Sequence, residues 1–293
     1  EPEFNPSEFT TGIVISNTGH ILTAYHTLGH PDKNSYFIFG QPKTAENPLW
    51  IGEATIHAAD PWMDLAVLKI DNAGLVKTDV TKMVDQDLPT IAFMFQASAS
   101  YTTNHQFASQ LVVLNESRNF ANNADQPNEK NIRNRYEHGG LLVAVPATRP
   151  ASGNIVLDEN GSLLGISTLR IPIAEFIPGA ARIMPTDATF VNALESLIAG
   201  QPTDPPLLGI SFKNGNSTIG TDTELGVLVN RVGTATPALL SGLKPNDRVI
   251  AINSINVESS AHAQDLIARS FAGDKTSISV VRQGNATIML FNL

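Results

Sequence analysis

Cysteine is wholly absent from these 293 residues. Its absence excludes disulfides, thiolate metal sites and a cysteine nucleophile, while leaving the redox compartment open. Charge is sparse, at 16% of residues against 42% hydrophobic ones, a balance that is not that of a disordered chain and that can bury a sizeable core. Basic residues are the scarcer sign: 19 Lys and Arg face 28 Asp and Glu, for a net charge of −9. The deficit falls on residues 1–206, with 12 basic against 22 acidic side chains, whereas 207–293 carry 7 against 6. Non-specific nucleic-acid binding relies on Lys and Arg neutralising phosphates, so no nucleic-acid partner is expected. No run of about 18 apolar residues is present, so no integral membrane helix is expected. The opening EPEFNPSEF lacks the basic and apolar regions of a secretory signal and does not read as one.

What is present is a succession of short β-branched or alternating runs: GIVIS, HILTAYHTL, SYFIFG, DLAVLKI, TIAFMF, QLVVL, LLVAV, NIVL, LLGIS and ARIMP. Parted by Gly, Pro, Asn and Asp, they predict an all-β barrel or sandwich, not βαβ units. PTDATFVNALESLIAG (185–200) has a Thr/Asp start, apolar residues at 190, 191, 194, 197 and 198 and a terminal glycine, and predicts a helix capped at both ends. The three prolines of QPTDPP stop that helix, which sets a first domain at 1–200, a linker at 201–206 and a second domain at 207–293. The second domain reads as a mixed module, with strands at LLGISF, GVLVNRV, RVIAIN, SISVVR and TIMLFNL and helices at TPALLSG and SAHAQDLIARSF. The polar stretch 115–140 has no period and reads as a mobile surface loop of the first domain.

Within RPASGNIVLDENGSLLGIS (149–167), Ser152 sits beside a glycine ahead of an apolar run, a setting shared by nucleophiles and ordinary turns. A serine that transfers acyl groups needs an imidazole to take its proton and a carboxylate to orient that imidazole. His26 ends the run HILTAY just before a turn, and Asp64 directly precedes the apolar LAVLKI. Each of the three taken alone is as readily structural. His20 and His30 flank His26, but no acidic residue stands at ligand spacing on a helix; both read as surface histidines, and no metal or cofactor is expected.

GIVISNTGHILTAYHTL, DPWMDLAVLKID and SGNIVLDENGSLLGIST resemble the stretches around the catalytic His, Asp and Ser of the HtrA (Deg) family of trypsin-like serine proteases. The second domain is similar to that family's PDZ module: LLGI (207–210) resembles its carboxylate-binding loop, and GVLVNRVGTATPALLSGLKPNDRVIAINSINV matches its central pattern. The resemblance runs from about residue 10 to 293 and is weakest between 72 and 140. It implies a mostly β fold, a chymotrypsin-like double β-barrel followed by a PDZ β-sandwich with two helices. His26 and Asp64 would come from the first barrel and Ser152 from the second. Leu208, Gly209 and Ile210 would offer backbone N–H groups to a peptide carboxylate, the peptide adding as a strand beside GISF. The resemblance further implies unfolded or C-terminal peptide substrates, a periplasmic or other cell-envelope location and a homotrimer, with Phe4 and Phe9 as aromatic assembly contacts.

Two departures stand out. Asn246 and Ser254 replace family glycines at turns where a positive φ is expected, which Asn tolerates and Ser accepts less easily. At the nucleophile, Pro150, Ala151 and Ser152 fall on the family's oxyanion loop, where the N–H two residues before the serine is one of two donors. Proline has no N–H to give, and losing one such donor costs about 10²–10³ in turnover. Two outcomes stay open: an endopeptidase that degrades or processes misfolded envelope proteins, or a catalytically impaired scaffold that binds peptides. Primary specificity in such proteases comes from segments beside the nucleophile, here 146–150 and 167–183, which are apolar apart from Arg149, Arg170 and Arg182. A small or medium apolar residue before the scissile bond is the expectation.

Overall fold

The computed structural model describes residues 10–29, 34–40, 49–71, 75–80, 91–97, 107–117, 141–144, 153–168, 181–201, 203–213 and 226–293. These fall into two compact units that divide after Pro202. Among them no helix is long and apolar enough to cross a membrane.

The first unit holds two lobes. Strands β1 (Ile13–Val14), β2 (His20–Ala24), β3 (Tyr36–Gly40), β4 (Leu49–Asp60) and β5 (Leu65–Lys69) form an antiparallel sheet in the order β1-β2-β5-β4-β3. Its core gathers Ile21, Leu28, Ala54, Ala66, Leu68 and Ile70. Strands β6 (Ile91–Ala97), β7 (Phe107–Ser117), β8 (Leu141–Ala144), β9 (Ile155–Leu157), β10 (Leu163–Thr168) and β11 (Ala181–Pro185) close into a barrel in the order β10-β11-β8-β7-β6-β9. Apolar side chains fill it, among them Ala92, Met94, Val156, Leu164, Ala181 and Ile183.

Helix α1 (Ala188–Ile198) follows β11, with Asp187 accepting the Phe190 N–H at 2.9 Å as its N-cap. Although it follows the barrel in sequence, α1 packs against β4 and β5 of the first lobe. His57 on β4 lies 3.0 Å from the carbonyl oxygen of Ile198, at the helix's C-terminal end.

The second unit is a sheet of β12 (Ile210–Phe212), β13 (Val227–Val232), β14 (Arg248–Ile252), β16 (Lys275–Arg282) and β17 (Asn285–Asn292) in that order, with β15 (Ile255–Asn256) paired to β14. Two helices complete it: α2 (Pro237–Leu240), capped by Thr236, and α3 (Ser260–Ala268), capped by Ser259. Leu208, Val229, Leu243, Ile252, Ala263 and Phe291 are part of its core.

The expected strands and helices are present, and three expectations need correction. β4 went unrecognised because its bulge between Ile56 and Ala58 and its small residues blur the alternation. Asn115–Ser117, assigned to a surface loop, belong to β7 and pair with β8 up to Leu141; residues 118–140 lie outside the described residues. Phe4 and Phe9 also lie outside them. His20 is not a surface histidine: it is 8% exposed, its Nδ1 lies 2.7 Å from Ser16 Oγ, and its ring centroid lies 4.7 Å from that of His57. His30 lies outside the described residues. The two turn substitutions behave as expected, with φ of +69° at Asn246 and +66° at Ser254.

Candidate active site

His26 sits in the 3-10 turn Tyr25–Leu28 that closes β2, and Asp64 is the last residue of the turn between β4 and β5. That turn is built by Asp60, whose Oδ1 accepts the N–H groups of Trp62 at 2.8 Å and Met63 at 3.0 Å. Asp64 then adopts φ +57°, a left-handed conformation that Asp tolerates better than most residues, and its carbonyl accepts the Tyr25 N–H at 2.8 Å.

The Asp64 carboxylate is fully buried. Oδ1 accepts the backbone N–H of His26 at 2.9 Å. Oδ2 faces His26 Nδ1 at 2.7 Å and accepts the Thr168 hydroxyl at 3.2 Å. A carboxylate can only accept, so the ring proton of a neutral His26 resides on Nδ1 and Nε2 is left with its lone pair. His26 remains 24% exposed, which keeps that nitrogen within reach of a reacting group. Thr168 ends β10, so this hydrogen bond ties the barrel to the first lobe. Sequence reasoning missed Thr168: a threonine closing a strand carries no signal when its partner is 104 positions away.

Ser152, Pro150 and Ala151 lie outside the described residues. The next residue, Gly153, has φ +82°, and its N–H donates to Ser167 O at 2.8 Å. A Cβ at Gly153 would stand 2.9 Å from Thr10 Oγ1 and 3.4 Å from both Ala24 Cβ and Thr27 Cγ2, which flank the His26 turn. Asn154 is held to Ser167 twice, its N–H donating to Oγ and its carbonyl accepting the N–H, each at 2.8 Å. The chain therefore passes against the histidine-bearing turn one residue after position 152 and is fastened to the strand whose last residue touches Asp64.

In the second unit, Gly209 has φ +79°, and its Cα is so close to Thr236 that a Cβ would overlap that side chain. The Gly209 carbonyl accepts the Gly233 N–H at 2.8 Å and the Leu208 carbonyl accepts the Ala238 N–H at 3.2 Å, anchoring the loop through its oxygens. Ile210 opens β12, which lies at the edge of its sheet.

The profile of the trypsin-like peptidase domain matches residues 10–166, and that of the PDZ domain matches residues 206–289. A "Serine endoprotease DegS" of Haemophilus influenzae is 23% identical over 278 residues, covering 94% of this chain and 73% of that protein. A "Probable periplasmic serine endoprotease DegP-like" of Pseudomonas fluorescens is also 23% identical over 278 residues, covering 94% of this chain. This chain spans only about half, 53%, of that relative's length. Among solved structures, "HtrA-type protease AlgW with tripeptide" superposes with a TM-score of 0.67 at 20% identity, over 96% of this chain and 87% of that one. A serine endoprotease from Yersinia pestis gives a TM-score of 0.61 at 20% identity, over 96% and 86%. Fold and sequence thus define a trypsin-like peptidase domain followed by a single PDZ domain. The chain belongs to the trypsin-like peptidase family, and with its PDZ domain it is similar to proteases of the HtrA (Deg) group.

Proposed function

We propose that this chain is an HtrA-like serine endopeptidase that degrades or processes misfolded proteins of the cell envelope, in the periplasm or a related compartment, as a homotrimer. Residues 1–200 form its peptidase domain, 201–206 the linker and 207–293 a PDZ domain that captures peptide C-termini. The observation that carries this reading is the 2.7 Å contact between His26 Nδ1 and the buried Asp64, which leaves Nε2 as a base.

In this mechanism His26 Nε2 takes the Ser152 hydroxyl proton as Oγ attacks the peptide carbonyl. Asp64 orients the ring and stabilises the imidazolium. His26 then gives the proton to the leaving amine, and the Ser152 acyl ester is hydrolysed by water that His26 activates in the same way. The Ser152 N–H supplies one oxyanion donor. Pro150 supplies none, and this favours the second reading: a catalytically impaired scaffold that binds peptides through the PDZ domain.

A fluorophosphonate distinguishes the two. Covalent mass on Ser152, lost in Ser152→Ala and His26→Ala, supports the endopeptidase. Absence of labelling with or without added peptide supports the scaffold. Peptide capture at the N–H groups of Leu208, Gly209 and Ile210 is supported by the left-handed turn at Gly209 and by β12 at a sheet edge. Gly209→Ala should weaken binding of a peptide with a free C-terminus by tenfold or more, about 1.4 kcal/mol. Fluorescence anisotropy that finds equal affinity for the free acid and its C-terminal amide would remove this part of the proposal.

A further inference from the structure

A peptide added as a strand beside β12 turns its side chains alternately to two faces, and the second unit furnishes those faces differently. Ile210 and Phe212 look toward the core, where Leu266 of α3 packs against the same cluster. Ser211 looks the other way, and its cross-strand partner on β13 is Arg231. Val229 and Val232 of β13 pack with the core, whereas Arg231 is exposed. Lys213, just past the end of β12, already donates to Asn246 Oδ1 at 2.8 Å. Among the described residues no hydrogen bond or ion pair engages the Arg231 guanidinium. The buried acids Asp247 and Asp265 pair with Arg282 and Arg269 instead.

A carboxylate held by the N–H groups of Leu208, Gly209 and Ile210 would fix the register of such a peptide. The peptide then runs antiparallel to β12, with its last residue level with Ile210 and its penultimate residue level with Ser211. The last side chain turns toward the core side, and the penultimate one emerges beside Ser211 on the face of Arg231. Neighbouring strands lie about 5 Å apart, so β13 runs roughly 10 Å from the peptide backbone with only the small Ser211 side chain between. An arginine and a glutamate reaching toward each other over a serine span that gap. We propose that Arg231 reads the penultimate residue of the captured peptide, so that the PDZ domain favours an acidic side chain, Glu or Asp, at that position. This inference rests on the peptide-capture reading and deepens it. The planar guanidinium can engage both carboxylate oxygens, and its exposure makes the attraction modest and sensitive to salt.

The test is fluorescence anisotropy with the full chain and fluorescein-labelled octapeptides that differ only in the residue before a C-terminal Val: Glu, Gln or Lys. In about 50 mM sodium chloride the wild type should bind the Glu peptide about fivefold more tightly than the Gln peptide, with the Lys peptide weaker still. In about 500 mM the ratio should approach one. Arg231→Gln should remove the preference while leaving the affinity for the Gln peptide unchanged, a control that a merely structural role would not pass. Arg231→Glu should transfer the preference to the Lys peptide. Equal affinities for the Glu and Gln peptides in the wild type at low salt overturn the proposal, as does a Glu preference that survives in Arg231→Gln. The Gln peptide and its C-terminal amide separate the two levels of failure. A free acid that outbinds its amide, with no preference for Glu, sinks this inference alone; equal binding of acid and amide removes the capture reading and this inference with it.

Discussion

Two buried carboxylates, one in each unit, are held in opposite ways. Asp64 and Asp247 are 0% and 2% exposed. Asp247 is gripped by Arg282, whose Nε and Nη2 each approach a carboxylate oxygen at 2.6 Å, and its Oδ2 also accepts the Lys244 N–H at 2.7 Å. Burial alone would raise the Asp247 pKa, but the Arg282 hydrogen bond, the Lys244 N–H and the positive charges of both residues outweigh it, and the net shift is downward. The Asp247–Arg282 pair is a permanent lock between the start of β14 and the end of β16. Asp64 faces an imidazole and accepts from a backbone N–H and a hydroxyl. Under the proposed mechanism that imidazole gains a proton in each catalytic cycle. The contrast separates an ion pair that maintains a fold from a carboxylate that, under the proposed mechanism, orients a base.

The contrast can be broken at either end. Asp64→Asn should leave the fold intact and lower kcat by about 10⁴, because the amide favours the wrong imidazole tautomer; stopped assays on any cleaved peptide check this. Asp247→Asn should act on stability alone, costing the second unit about 2–3 kcal/mol by the loss of charge-assisted hydrogen bonds, while fluorophosphonate labelling of Ser152 continues at its normal rate. Thr168→Val sharpens the comparison by removing the hydroxyl donor from Asp64: kcat should fall about tenfold, equivalent to 1.4 kcal/mol, with KM little changed. The smallest effect belongs to His20, whose pKa burial lowers, with His57 and Lys69 adding to the shift. The unfolded chain then binds the proton more tightly than the folded one, so this stability is complete above about pH 6.5 and erodes as the pH falls below it. Thermal melts of His20→Gln against the wild type across pH 5 to 8 should show a shallower acid decline in the variant.

The sequence made the strands legible because turn residues punctuate them, and α1 because Asp187 and Gly200 mark its ends. His26 and Asp64 stand beside strand ends, a place that is as readily structural, and it was the resemblance of the stretches around them that singled them out. What escaped depends on contacts made at long range. Thr168 meets Asp64 across 104 positions of sequence. His20 was misjudged because a histidine opening a strand looks exposed until β4 brings His57 against it.

Helix α1 belongs to the barrel by chain order and to the first lobe by packing. It therefore works as a buckle: the lobe that holds the imidazole cannot drift from the barrel without peeling Phe190, Ala193, Leu194 and Leu197 out of their seats. The two lobes should melt together as one cooperative block, and any tension drawn through the prolines beyond residue 200 is delivered first to the sheet bearing His57, not to the barrel.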